Sequence, residues 1–152
     1  MHQLTKILKQ KSLTIAVAES CTGGNLSAFL TSESGSSTYF DRGFITYSNQ
    51  AKIDMLNVKH TTLNKFGAVS EQTALEMVRG VIKNSSANIA VSITGIAGPT
   101  GGTKTKPIGT VCFGFYIHGE YATITQNFAD VDRFDVVEKS VEFTVNFLLK
   151  KL

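Results

Sequence analysis

Apolar positions along this chain recur in two periods, and the alternation between them predicts the element order. Residues 2–11 carry Leu4, Ile7 and Leu8 at helical spacing. Residues 13–18 (LTIAVA) form a short apolar run rich in β-branched side chains and read as a buried strand. The polar turn ESCTGG follows. Asn25 to Ser32 then returns to helical spacing, with Leu26, Phe29 and Leu30 on one face. Residues 34–37 (SGSS) punctuate, and residues 40–47 (FDRGFITY) read as a second strand. Ser48 and Asn49 are the residue types that cap a helix, here one carrying Ala51, Lys52 and Met55. Another helix begins after Ser70, with Ala74, Met77, Val78, Val81 and Ile82 on its face. Residues 88–94 (NIAVSIT) are a third strand, followed by the loop GIAGPTGGTKTKPIG. Residues 108–117 and 120–128 form two strands about the turn His118-Gly119-Glu120. From Asp132 the tail is helical, with Phe134, Val137, Val141, Val145 and Leu148 on one stripe.

Strands and helices alternate first, and a hairpin arrives late. That order predicts an α/β sandwich with helices on both faces of a mixed sheet, antiparallel at least in its last hairpin. Ligands of open α/β sheets lie beyond the carboxyl ends of the strands. Three unusual segments follow strands here: ESCTGG, YSNQAK and GIAGPTGG. Their convergence is the first pointer to a site.

Composition narrows the partners. Fifteen basic against twelve acidic residues leave a formal charge of +3, spread along the chain. A nucleic-acid binder usually concentrates its basic residues in a stripe, which is absent, whereas a small anionic substrate suits this balance. Cys21 and Cys112 lie far apart and make no C-x-x-C pair, so reduced thiols are expected. The N-terminus has no signal-peptide pattern and no stretch has the length of a membrane span. A cytoplasmic protein is expected, with no metal, since His, Cys and Asp do not cluster at ligand spacing.

The turn after the first strand offers Ser20 as a nucleophile. A helix start beyond it could stabilise an oxyanion through its free N–H groups, and Gly23 and Gly24 let a substrate approach. The competing reading makes Ser20 or Thr22 a mere N-cap. His2, His60 and His118 are the candidate bases, but none lies near a glycine-rich motif, and all three read as surface residues. Lysine is the other group that activates serine, provided it loses its proton. Lys52 is the best placed, five residues after Tyr47 and in the first turns of a helix that would lower its pKa. A solvated surface lysine is the alternative. The loop from Gly95 could wrap a phosphate with backbone amides. It is neither a Walker A loop nor the G-x-G-x-x-G fingerprint.

Taken in series, the motifs are Ala18-Glu19-Ser20-Cys21-Thr22-Gly23-Gly24, Gly35-Ser36-Ser37, Tyr47-Ser48-Asn49 with Ala51-Lys52, Gly67-Ala68-Val69-Ser70, Thr94-Gly95-Ile96-Ala97-Gly98-Pro99 and Lys106-Pro107-Ile108-Gly109-Thr110. Their order and spacing resemble the C-terminal domain of the CinA family, whose stand-alone relatives are nicotinamide-nucleotide amidohydrolases. The resemblance spans nearly the whole chain, residues 1–152, as a single domain. It implies a three-layer α/β/α sandwich with a mixed, mostly parallel sheet of about five strands. It implies hydrolysis of the carboxamide of nicotinamide mononucleotide to nicotinate mononucleotide and ammonia, a pyridine-nucleotide salvage reaction needing no cofactor. Ser20, Tyr47 and Lys52 fall on the family's catalytic positions, with Lys52 as base and Tyr47 as relay or orienter. Cys21 becomes a packing residue beneath the turn. Substrate contacts are expected from Thr22, Gly23, Gly24, Ser37, Gly43, Thr94, Gly95, Ala97 and Gly98. Arg133 fits a late Gly-Asp-Arg element, here Val131-Asp132-Arg133, and is the expected phosphate contact. The larger members add an N-terminal nucleotide-hydrolase domain, so no pyrophosphatase activity is expected of this chain. The expected partner is a small nucleotide, not nucleic acid or a membrane, with self-association left open. A non-catalytic nucleotide-binding or competence-related accessory module is the alternative.

Overall fold

The structure, a computed structural model, describes residues 2–152. Its elements run α1 (His2–Gln10), β1 (Ile15–Glu19), α2 (Asn25–Leu30), a 3-10 turn (Ser36–Thr38), β2 (Phe40–Ile45), α3 (Asn49–Leu56), α4 (His60–Phe66), α5 (Glu71–Lys83), β3 (Ile89–Gly95), β4 (Thr110–Ile117), β5 (Glu120–Asn127) and α6 (Arg133–Lys151). The sheet order is β2-β1-β3-β4-β5. β1 pairs in parallel with β2 and β3, whereas β3–β4 and β4–β5 are antiparallel. The fold is therefore the expected three-layer sandwich with a mixed five-stranded sheet. Two of its pairings are parallel, and every strand but β4 points the same way.

Period-2 alternation divides the strands between two cores. Ile15 and Val17 of β1, Ile89, Val91 and Ile93 of β3, and Phe113 and Phe115 of β4 face the layer of α1, α2 and α6. There Phe113 meets Phe143 and Phe115 meets Phe147, with ring centroids 4.6 and 4.1 Å apart. The other face carries small residues, Ala16, Ala18 and Ala90, against Met77, Val78 and Val81 of α5. That face lets α5 sit close: Ser92 Oγ donates to the Ala74 carbonyl at 2.6 Å. A Cβ on Gly114 would lie 2.6 Å from the same carbonyl oxygen, so β4 needs glycine there.

Local caps set three helices as the sequence predicts. Ser48 Oγ accepts from Ala51 N, Ser70 Oγ from Thr73 N, and Asp132 from Asp135 N. α4 was not evident in the sequence. Its N-cap Lys59 offers no side-chain cap; Glu76 of α5 instead accepts from Lys59 N at 2.8 Å and Thr62 Oγ1 at 2.6 Å. Among the described residues no helix is long and apolar enough to cross a membrane.

Candidate active site

β1 delivers Ser20 to the carboxyl edge of the sheet, where Ser20 N donates to Ile93 O of β3 at 2.9 Å. The parallel register, Glu19 opposite Ile45, brings Thr46 and Tyr47 alongside Ser20. α3 then turns back and inserts Lys52, whose side chain is only 1% exposed. Its Nζ lies 3.1 Å from Ser20 Oγ, 2.9 Å from Thr46 O and 3.5 Å from Tyr47 O. Ser20 and Lys52, thirty-two residues apart in sequence, therefore share a hydrogen bond. Burial lowers the Lys52 pKa from its ordinary value to about 8. Desolvation does this, in place of the α3 dipole expected from the sequence. Among the described residues Lys52 has no carboxylate partner to hold its proton.

The start of α2 differs from expectation. Neither Ser20 nor Thr22 is its N-cap; Gly24 is, and it has no capping side chain. The buried carboxylate of Glu19 takes the helix donors: Oε2 accepts from Gly24 N (3.1 Å) and Leu26 N (3.0 Å), and Oε1 from Ser27 N (2.8 Å) and Ser27 Oγ (2.7 Å). These N–H groups are not free for an oxyanion. Gly23 N is also engaged, by Ser20 O. In the Ser20–Gly24 turn the amides of Cys21 and Thr22 make no hydrogen bond to another backbone carbonyl. The Thr22 hydroxyl is buried and unpartnered, as is that of Thr46. Unsatisfied buried hydroxyls are uncommon, and both flank the Ser20–Lys52 pair. Sequence reasoning missed Glu19 and Thr46; Glu19 was visible only as the neighbour of Ser20.

Cys21 packs under the turn, 8% exposed, and its Sγ would be 3.0 Å from a Cβ on Gly95. Burial pushes its thiol up to about 12, opposite to what a nucleophile needs. Thr94 Oγ1 donates to Ala68 O at 2.8 Å and is buried. Ala97 is buried beyond it. Gly98, with φ +85°, offers its carbonyl to Arg133 Nη1 at 2.8 Å. Arg133 Nη2 donates to the Tyr47 hydroxyl at 2.6 Å. The Tyr47 phenol thus rests on Arg133 rather than on the Ser20–Lys52 pair; its carbonyl is the part that meets Lys52. Beside Arg133 opens a cavity of about 690 Å³ lined by Asn25, Ala97, Pro99, Ile108 and Phe134. Asn25 joins it to the Ser20–Gly24 turn, donating Nδ2 to Thr22 O at 2.6 Å.

Two expected contacts are not brought to this place. Ser37 sits in the 3-10 turn before β2, at the amino end of the sheet, because β2 runs parallel to β1. Gly43 lies within β2, where a Cβ would be 2.5 Å from Ser27 Oγ; its role is to admit α2. His60 and His118 are exposed, and the His2 side chain lies outside the described residues. No group of three or more His, Cys, Asp or Glu among the described residues is placed to hold a metal ion.

A model of the CinA C-terminal domain matches residues 1–152. A CinA-like protein of Kosmotoga olearia is 44% identical over 149 residues, which are 98% of this chain and 36% of that protein. A CinA-like protein of Chlorobium limicola is 59% identical over 109 residues, 72% of this chain and 25% of that protein. The chain thus spans about a third of the length of such relatives or less. Among solved structures, the competence/damage inducible protein CihA from Agrobacterium tumefaciens superposes with a TM-score of 0.94 at 41% identity, over 98% of this chain and 91% of that one. The competence damage-inducible protein A (ComA) from Klebsiella pneumoniae subsp. pneumoniae gives 0.93 at 37% identity, over 99% and 95%. On sequence, topology and site geometry together, the chain belongs to the CinA C-terminal domain family.

Proposed function

We propose that this chain is an amidohydrolase that converts nicotinamide mononucleotide to nicotinate mononucleotide and ammonia, with Ser20 as nucleophile and Lys52 as base. The observation that carries this reading is the buried Lys52 amine, 3.1 Å from Ser20 Oγ. A neutral amine has two N–H donors and one lone pair. Thr46 O and Tyr47 O can take the two donors, which turns the lone pair toward the serine hydroxyl.

In the first half-reaction Ser20 Oγ attacks the carboxamide carbon as its proton passes to Lys52 Nζ. The tetrahedral oxyanion takes N–H donors from the turn, where the Cys21 and Thr22 amides are not committed to a backbone carbonyl. Lys52 then protonates the leaving nitrogen, the C–N bond breaks, and ammonia departs from an ester on Ser20. In the second half Lys52 deprotonates water, which attacks the ester carbon. The proton returns to Ser20 Oγ as nicotinate mononucleotide leaves. The pyridinium ring makes the amide carbon more electrophilic, and a neutral base repels that ring less than an ammonium. The cavity beside Arg133 has room for the ribose and phosphate, and Arg133 supplies the charge for the phosphate.

Ammonia release from the mononucleotide, the riboside and free nicotinamide tests the assignment. The mononucleotide should be turned over best, and Ser20→Ala should abolish its turnover while still binding it. Ammonia release that survives Ser20→Ala would overturn the mechanism, and no release from any of the three would overturn the activity.

A further inference from the structure

The side chain that precedes Ser20 is heavily engaged. Glu19 is fully buried at the end of β1, and its carboxylate receives four donors, all from Gly24, Leu26 and Ser27. A buried carboxylate is costly unless so surrounded. A helix start is ordinarily capped by a residue just before it. Here the cap comes from the preceding strand, so the Ser20–Gly23 turn becomes a ring closed by the Glu19 side chain. Gly23 and Gly24, with φ of +53° and +103°, let the chain fold back far enough to close it. The main chain of Glu19 reaches the base as well. Its carbonyl accepts from Thr46 N at 2.8 Å, and Thr46 O in turn accepts from Lys52 Nζ at 2.9 Å. One residue therefore holds the turn that bears the nucleophile and the strand end that holds the base.

We infer that Glu19 is a positioning residue: its carboxylate fixes the Ser20 turn so that Oγ stays within hydrogen-bond reach of Lys52. The inference rests on Ser20 being the nucleophile. Glu19→Gln keeps the size but presents an NH2 group to N–H donors. Misplacing a reacting group by about 1 Å can cost roughly 100-fold, so kcat should fall about 10- to 100-fold with KM little changed. The rate at which a fluorophosphonate labels Ser20 should fall in parallel, and that rate does not depend on the amide substrate. Glu76→Gln is the control. It removes the same kind of distant cap from α4, a helix that carries neither Ser20 nor Lys52, and should lower the melting temperature without lowering kcat. If Glu19→Gln does not fold, Ser27→Ala, which deletes one of the four donors, should still lower kcat several-fold. Wild-type kcat and labelling in a folded Glu19→Gln, or wild-type kcat in Ser27→Ala when Glu19→Gln is unfolded, would overturn the inference. A wild type that neither turns over the mononucleotide nor is labelled would overturn the Ser20 assignment, and the positioning role with it.

Discussion

Two neighbouring residues, Ser20 and Cys21, share one turn and have opposite fates. Intrinsic reactivity favours a thiol over a hydroxyl. Environment reverses that order, because Cys21 is buried with its thiol pushed up to about 12, while Ser20 Oγ meets an amine. Cys21→Ala should keep most activity and lose only modest stability from a small cavity, as steady-state kinetics and thermal unfolding would show. A folded but inactive Cys21→Ala beside an active Ser20→Ala would move the nucleophile to the thiol. In the proposed mechanism Lys52 sets the pH dependence. Its pKa lies at about 8, and the base works deprotonated, so the neutral fraction grows as pH rises through that value. The profile of kcat/KM should therefore climb from pH 6 and level off above about 9. Lys52→Arg stays protonated throughout and should lose turnover by several orders of magnitude. A flat profile between pH 6 and 9 would mean that a different group takes the serine proton.

Helices with their own caps announced how they begin, whereas α4, capped from a distance, was not read, and α2 was read from its apolar spacing but not its cap. Ser48, Ser70 and Asp132 announce α3, α5 and α6 because the capping oxygen lies three residues from the amide it serves. α4 depends on Glu76, seventeen residues from Lys59, and the start of α2 depends on Glu19. Neither carboxylate is near its helix in the pattern that a periodicity reading inspects. The site shows the same division. That strand ends converge was legible, whereas the pairing of Ser20 with Lys52 needed either the family resemblance or the parallel register of β1 and β2. Ser37 was misplaced because motif order does not reveal which end of a sheet a turn occupies. The seat of α3, and so of Lys52, is set by a contact that no local pattern shows. A Cβ on Gly80 of α5 would fall 2.3 Å from the Leu56 carbonyl at the end of α3. That neighbour is backbone and cannot swing aside. Gly80→Ala should cost roughly 1–3 kcal/mol, the range for overpacked cores, measurable by urea unfolding. It should also lower kcat, since α3 must shift. Unchanged kcat in a destabilised Gly80→Ala would show that Lys52 keeps its place when α3 moves.

At the scale of the whole molecule, the three layers meet at one guanidinium. Arg133 begins α6 on one face of the sheet, Gly98 belongs to the loop after β3, and Tyr47 leads into α3 on the other face. Arg133 holds both partners, at 2.8 and 2.6 Å, beside the cavity of about 690 Å³. It can serve in two ways, as the phosphate contact or as a clamp that keeps Tyr47 and the Gly98 loop in position. The two roles differ in which substrate notices the loss. A clamp acts on every substrate alike, because it sets the protein's own geometry. A phosphate contact acts only when a phosphate is present. Charge-assisted hydrogen bonds contribute roughly 1.5–3 kcal/mol, so Arg133→Ala should lower kcat/KM for the mononucleotide about 10- to 100-fold. For the riboside the loss should be much smaller. The ratio of the two losses is the coupling between Arg133 and the phosphate, measured as in a double-mutant cycle with the substrate as one partner. A ratio near one would remove the phosphate from Arg133 and leave only the clamp. A ratio of ten or more would assign the anion to Arg133 and give the mild positive balance of the chain a defined target.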